Sequence, residues 1–255
     1  YQAGLNLSSG TDSVYVGYNA GGVGVITGTH NVVVGKGAFL EATSGNASVF
    51  VGIDAGGQTT AGGRSAPITG ASNTCVGYGT GYDLTSGHSN VLLGRDAGAN
   101  FTDNQRNVAI GMSAMLDSNG GENYNVAVGF GALESEVTSA NYCVAVGYAA
   151  LNLQNANVKN TAIGGLAGDA ITSGASNTLV GYQAGSGMTD SSNNAVFGHN
   201  AMSGGNGGNN TCLGYGAGGG ALAGNDNVIV GMQAGDALTD GPGNVLIGRS
   251  AGGAM

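Results

Sequence analysis

A short apolar run closed by glycine recurs about every seventeen residues along this chain, and that period limits the fold more than any single residue does. Val14-Tyr15-Val16-Gly17, Val32-Val33-Val34-Gly35, Val108-Ala109-Ile110-Gly111, Thr178-Leu179-Val180-Gly181 and Val245-Leu246-Ile247-Gly248 are examples. The anchoring glycines are Gly17, Gly35, Gly52, Gly77, Gly94, Gly111, Gly129, Gly147, Gly164, Gly181, Gly198, Gly214, Gly231 and Gly248, and eight of the thirteen spacings between them are seventeen. A period this short lies below that of helical repeats and fits one coil of a β-solenoid. The sequence therefore predicts an all-β β-solenoid (a β-roll) of about fifteen coils of ~17 residues, in a single repeat domain over residues 1–255, with a loop insertion near residues 60–69.

Composition agrees. The chain has 53 Gly, no Trp and 8% charged residues, so helix formers are scarce. The glycine period is not three, which excludes collagen. A net charge of −9 with six basic residues cannot track phosphates, so nucleic acid is excluded as a partner. No apolar run approaches a membrane span, so this segment does not insert in a bilayer. Cys75, Cys143 and Cys212 lie coils apart, too far to bridge, and read as small buried residues. The chain opens and closes part-way through a repeat unit, which reads as a piece of a longer fibre.

Each unit has a fixed grammar. Four residues before the anchor stands Asn in eleven of fourteen units: Asn31, Asn73, Asn90, Asn107, Asn125, Asn160, Asn177, Asn194, Asn210, Asn227 and Asn244; Ser13, Ser48 and Cys143 depart. Asn tolerates left-handed backbone, bonds its own turn and ladders from coil to coil, so these residues are expected to form a structural turn ladder. The two residues before each anchor glycine are always apolar. A strand wetted on one face alternates apolar and polar; this one does not, and the expectation is burial of both faces. Three residues after the anchor comes Ala in all units but one, where Thr80 stands, marking a tight inner corner. The residue after that is Gly or bulky: Phe39, Met115, Leu133, Leu151 and Met202. One thin coil can bury one stripe, so the second apolar face is expected to pack on copies of the chain about a symmetry axis, as a parallel homotrimer forming a rod of roughly 70 Å.

Asn107-Val108-Ala109-Ile110-Gly111, Asn125-Val126-Ala127-Val128-Gly129 and Asn160-Thr161-Ala162-Ile163-Gly164 resemble the YadA-type head repeat of trimeric autotransporter adhesins. The Gly181-Tyr182-Gln183-Ala184-Gly185 run is also similar to repeat arrays of phage tail fibres. The resemblance implies an extracellular trimeric fibre at a cell surface or on a virion, used for attachment.

The position after the anchor is rich in tyrosine, with Tyr1, Tyr18, Tyr78, Tyr148, Tyr182 and Tyr215, and with Phe130 beside them. Lys36, Arg95, His199 and Arg249 share it, so it meets solvent. Tyr18, Tyr78, Tyr148, Tyr182 and Tyr215 are candidate ligand contacts for a host-surface glycan or protein receptor, or else corner packing. The interval from Gly52 to Gly77 spans twenty-five residues and adds Arg64 as a candidate on an inserted loop. Turn carboxylates such as Asp54, Asp96, Asp169 and Asp190 share no single phase, and the three histidines stand alone, so no metal or cofactor is expected. The function expected is a structural and adhesive fibre segment, not an enzyme, binding itself and a receptor. An ice-binding or other flat-surface solenoid is the alternative; its threonine ladder, Thr74, Thr161, Thr178 and Thr211, is interrupted by Val. A polysaccharide-cleaving fibre enzyme would need clustered carboxylates in a cleft.

Overall fold

The computed structural model describes residues 2–22, 25–57, 67–118, 120–135, 140–156 and 158–253. Among them no helix occurs, so none is long and apolar enough to cross a membrane. Described residues up to Phe130 form one compact unit and those from Gly131 onward a second.

The first unit holds seven three-residue strands: β1 (Val14–Val16), β2 (Val32–Val34), β3 (Val49–Val51), β4 (Thr74–Val76), β5 (Val91–Leu93), β6 (Val108–Ile110) and β7 (Val126–Val128). They stack in parallel and in sequence order, with the repeat phase as register: Val14 opposes Val32, and Val108 opposes Val126. The eight extra residues of the Gly52–Gly77 spacing shift nothing, since Val49 still opposes Thr74. The second unit repeats this with β8 (Val144–Val146), β9 (Thr161–Ile163), β10 (Thr178–Val180), β11 (Ala195–Phe197), β12 (Thr211–Leu213), β13 (Val228–Val230) and β14 (Val245–Ile247). Each unit is a parallel β-solenoid. Against about fifteen coils expected, the described residues hold fourteen strands, and ahead of β1 Leu7 makes an isolated parallel bridge to Ile26.

The central residue of each strand points inward. Phe50, Leu92 and Ala109 in the first unit, and Ala162, Leu179 and Ile229 in the second, are fully buried. Their neighbours on either side point outward and stay half-buried or exposed. Within one chain only the inward face is therefore buried; the second apolar face expected from the sequence lies outside, on Val14, Val16, Val76, Ile163, Leu213 and Ile247 among others. The corner alanines (Ala20, Ala38, Ala97, Ala184) and one apolar plug per coil (Ile26, Ile68, Leu84, Phe101, Ile171, Met188) complete the interior.

Two backbone features explain the grammar. Gly94 sits at φ +130°, and a Cβ placed there would lie 2.6 Å from the carbonyl oxygen of Gly111 in the next coil. The anchor thus needs glycine twice, for its dihedral and for the close approach of stacked turns. The residue four after the anchor is left-handed, which glycine adopts freely; Phe39, Met115, Leu133, Leu151 and Met202 adopt it too, at φ between +49° and +53°. A bulky left-handed residue carries strain of about 1–3 kcal/mol, offset here by burial: the Phe39 ring stacks on Phe50 at 4.6 Å.

The asparagine ladder has a different local cause from the one expected. Its members are not left-handed; the residue just before each is, from His30 and Ser72 to Arg106 and Asp226. The ladder side chains from Asn31 to Asn227 are instead buried, Asn244 partly so, and they bond along the stack. Asn177 Nδ2 donates to Asn160 Oδ1 (3.2 Å) and to the Ser191 carbonyl (2.9 Å), while Asn177 Oδ1 accepts from the backbone N–H and the Nδ2 of Asn194. The same bonding recurs along Asn194, Asn210, Asn227 and Asn244. Where Cys143 replaces Asn, Gln154 fills the vacancy: its Nε2 donates to Cys143 Sγ (3.0 Å) and its Oε1 accepts from Asn160 Nδ2 (2.9 Å).

Candidate functional site

The left-handed turn after each anchor glycine throws the first side chain outward, so this position forms a column of exposed groups. Tyr18 and Tyr78 lie on it in the first unit, and Tyr148, Tyr182 and Tyr215 in the second, each about half exposed. Coil stacking brings two of the second-unit tyrosines together through the histidine that shares their position. His199 lies between Tyr182 (ring centroids 5.2 Å apart) and Tyr215 (5.3 Å, interplanar angle 20°). These three rings make a ladder of apolar faces with polar edges. Tyr148 is set apart from it by the Gly165 rung. In the first unit Tyr18 and Tyr78 are separated by the Lys36 and Ile53 rungs. Tyr78 has the Arg95 guanidinium over its ring at 5.7 Å, and Arg95 Nε donates to Asp96 Oδ2 at 3.0 Å. Tyr1 and Arg64 lie outside the described residues.

A threonine column stands in the first unit at another phase than that of Thr74. Thr27, Thr43, Thr69, Thr85 and Thr102 occupy the same place in consecutive coils. Thr27 Oγ1 donates to the Thr43 carbonyl at 3.2 Å, and Thr85 Oγ1 to the Thr102 carbonyl at 2.9 Å. These hydroxyl protons join coil to coil and are not offered to water. The clue in the sequence was a Thr set one or two residues before each turn glycine, as in Leu84-Thr85-Ser86-Gly87.

Two carboxylates stand in unusual surroundings. Desolvation raises the pKa of Asp54 against the counteracting charge of Lys36, and desolvation also raises that of Asp169 against its backbone bonds. One oxygen of each is buried with no hydrogen-bond partner among the described residues. Asp190 shows the reverse: bonds from Asn206 and Thr189 hold its carboxyl below the usual range. No group of three or more metal-ligating side chains occurs among the described residues. The cysteines are free and buried; burial pushes the Cys212 thiol up to about 12 and Cys75 higher still, which leaves them unreactive.

No family model, curated protein or solved structure matches the chain.

Proposed function

We propose that this chain is a segment of an extracellular attachment fibre, at a cell surface or on a virion, which packs against parallel copies of itself as a homotrimer and presents aromatic columns to a glycan receptor. The observation that carries the reading is the outward apolar row on both solenoid units. Their interiors are already filled by strand centres, corner alanines and plugs, yet Val, Ile and Leu still line the outer face of the strands. Purely parallel sheets are ordinarily covered on both faces, and monomers seldom leave so continuous an apolar stripe in water. A second layer made by copies of the same stripe covers it without any new sequence. The resemblance to trimeric adhesin heads points the same way. The hydroxyls of Thr27 and Thr85, donated to carbonyls of the next coil, weigh against a flat face that orders water. The role is binding rather than catalysis.

Light scattering on the purified chain tests the assembly. A mass near three times 24.6 kDa is expected. Val108→Glu with Val126→Glu, both on the outward row of the first unit, should reduce it to that of a monomer while the strand signal of circular dichroism persists. A monomeric native chain overturns the reading.

A further inference from the structure

The residue two after each anchor glycine is left-handed throughout, and in successive coils of the first unit it reads Asn19, Gly37, Asp54, Gly79, Asp96 and Ser113. Glycine and aspartate alternate in the middle of this column. At Gly79 a Cβ would lie 2.6 Å from Asp96 Oδ1, so the carboxylate fills the space a side chain there would take. A hollow of about 260 Å³ opens beside this column, lined by Asp54, Gly79 and Asp96. Tyr78 and Tyr82 line it, with Ala99 and Leu116 completing an apolar side. That volume falls just under the roughly 300–1,000 Å³ of sites for drug-sized ligands, which suits a single small ring better than a chain.

We propose that this hollow binds one neutral pyranose ring, with Tyr82 packing on its C–H face and Asp54 and Asp96 accepting its hydroxyl protons. The proposal rests on the reading of the chain as a glycan-binding segment and gives that reading a place. Charge selects the ligand class. An organic cation would find Asp96 already paired with Arg95 Nε at 3.0 Å, and the Tyr78 face already covered by the same guanidinium at 5.7 Å. An acidic sugar would face two carboxylates. A neutral polyol uses what remains: carboxylate acceptors, which make strong hydrogen bonds, a guanidinium edge as donor, and an apolar ring face against apolar C–H groups. The alternation also explains why aspartate is tolerated in a left-handed turn here, since glycine in the preceding coil makes room for its carboxylate.

The test is saturation-transfer NMR followed by titration of the intact chain with the methyl pyranosides of glucose, galactose, mannose and N-acetylglucosamine. At least one is expected to bind in the millimolar range typical of a single ring, with the methyl glycoside of glucuronic acid at least tenfold weaker. Tyr82→Leu and Asp96→Asn should each weaken binding tenfold or more. Asn tolerates the φ of +55° at position 96, and an unchanged melting temperature for that variant separates loss of contact from loss of fold. Ser44→Ala, on an exposed turn elsewhere in the unit, should change nothing. Binding that survives both pocket variants but falls with Tyr215→Ala overturns the pocket and leaves the glycan reading on the second unit. Tighter binding of tetramethylammonium or of the glucuronide overturns the ligand class. If no pyranoside binds, the pocket and the glycan reading both fall, while the assembly measured by light scattering stands or falls by itself.

Discussion

The two solenoid units share one grammar and differ in how strictly they keep it. In the second unit the anchor spacings run 17, 17, 17, 16, 17 and 17, and after the gap at Cys143 six ladder asparagines follow one another from Asn160 to Asn244. In the first they run 18, 17, 25, 17, 17 and 18, and Ser48 interrupts the ladder between Asn31 and Asn73. Serine carries one rung less well than asparagine. Its hydroxyl accepts from the Asn73 N–H at 3.1 Å, but its proton goes back to the Asn46 carbonyl of its own turn. The irregular stretch is also where the largest core side chains gather, Phe39 and Phe50 stacked beside that rung and Phe101 two coils on. The outward rows differ too. Six of the seven leading strand residues of the first unit are Val, whereas the second has Thr161, Thr178, Ala195 and Thr211 in that row. Register survives in both units, so strand pairing tolerates broken side-chain ladders and uneven turns provided the anchor glycine and the inward residue are kept.

The sharpest way to break the comparison is at the anchors, where both units should fail alike. Gly94→Ala and Gly181→Ala each place a Cβ about 2.5 Å from the next coil's carbonyl, 2.6 Å and 2.5 Å respectively. Each should lose about 3 kcal/mol or more, since backbone strain of about 1–3 kcal/mol is joined by a backbone clash. Gly248→Ala, whose added Cβ meets nothing within 4 Å, should lose only the strain, about 1 kcal/mol. Urea denaturation of the three variants measures this, and equal losses at Gly94 and Gly248 would remove stacked-turn contact as the cause.

The ladder should separate the units. Asn194→Ala removes a buried acceptor of the Asn210 N–H (2.8 Å) and a donor to Asn177 Oδ1 (3.1 Å), and should cost about 1–3 kcal/mol. Ser48→Asn restores the missing rung in the first unit and should gain about 0.5–1.5 kcal/mol. The same denaturation curves report both; a loss at Ser48→Asn would mean that the first unit has adapted its backbone to serine.

Acid titration gives the smallest effect. The folded-state pKa of Asp169 lies above its unfolded value, so the fold binds the proton more tightly than the open chain does. The resulting destabilisation is absent below the unfolded pKa, grows as pH rises through the carboxylate range and is complete above the folded pKa. Asp169→Asn should therefore raise the melting temperature slightly at pH 7 and leave it unchanged well below the carboxylate range. Asp54 in the first unit carries the same sign. Asp190 has the opposite sign: its stabilising contribution is present above its unfolded pKa and is lost as pH falls through its folded one. Asp190→Asn should accordingly make the acid limb of the second unit shallower.

Strands, anchors, corner alanines and ladder asparagines were legible because each recurs at one phase with one residue type, and stacking demands the same side chain coil after coil. The left-handed residues ahead of the ladder were not, since His30, Ala47, Arg106 and Lys159 fill that place and the stacked backbone imposes its dihedral on whatever stands there. Gln154 was invisible for another reason: it answers a gap eleven residues earlier, at Cys143, and such a repair occupies no fixed phase. The exposed tyrosine column could be placed from the repeat alone. Its clustering through His199, and the hollow at Gly79, depend on which residues happen to be neighbours across coils at positions the repeat leaves variable.

Register equal to repeat phase has an evolutionary corollary. Because Val14 faces Val32 and Val228 faces Val245 with no offset, unequal crossing-over between two units at the same phase adds or deletes whole rungs and hands every surviving residue a partner of the same kind. Copy number in such a gene can drift without the protein having to solve a new folding problem, and selection is free to treat the number of rungs as an adjustable length.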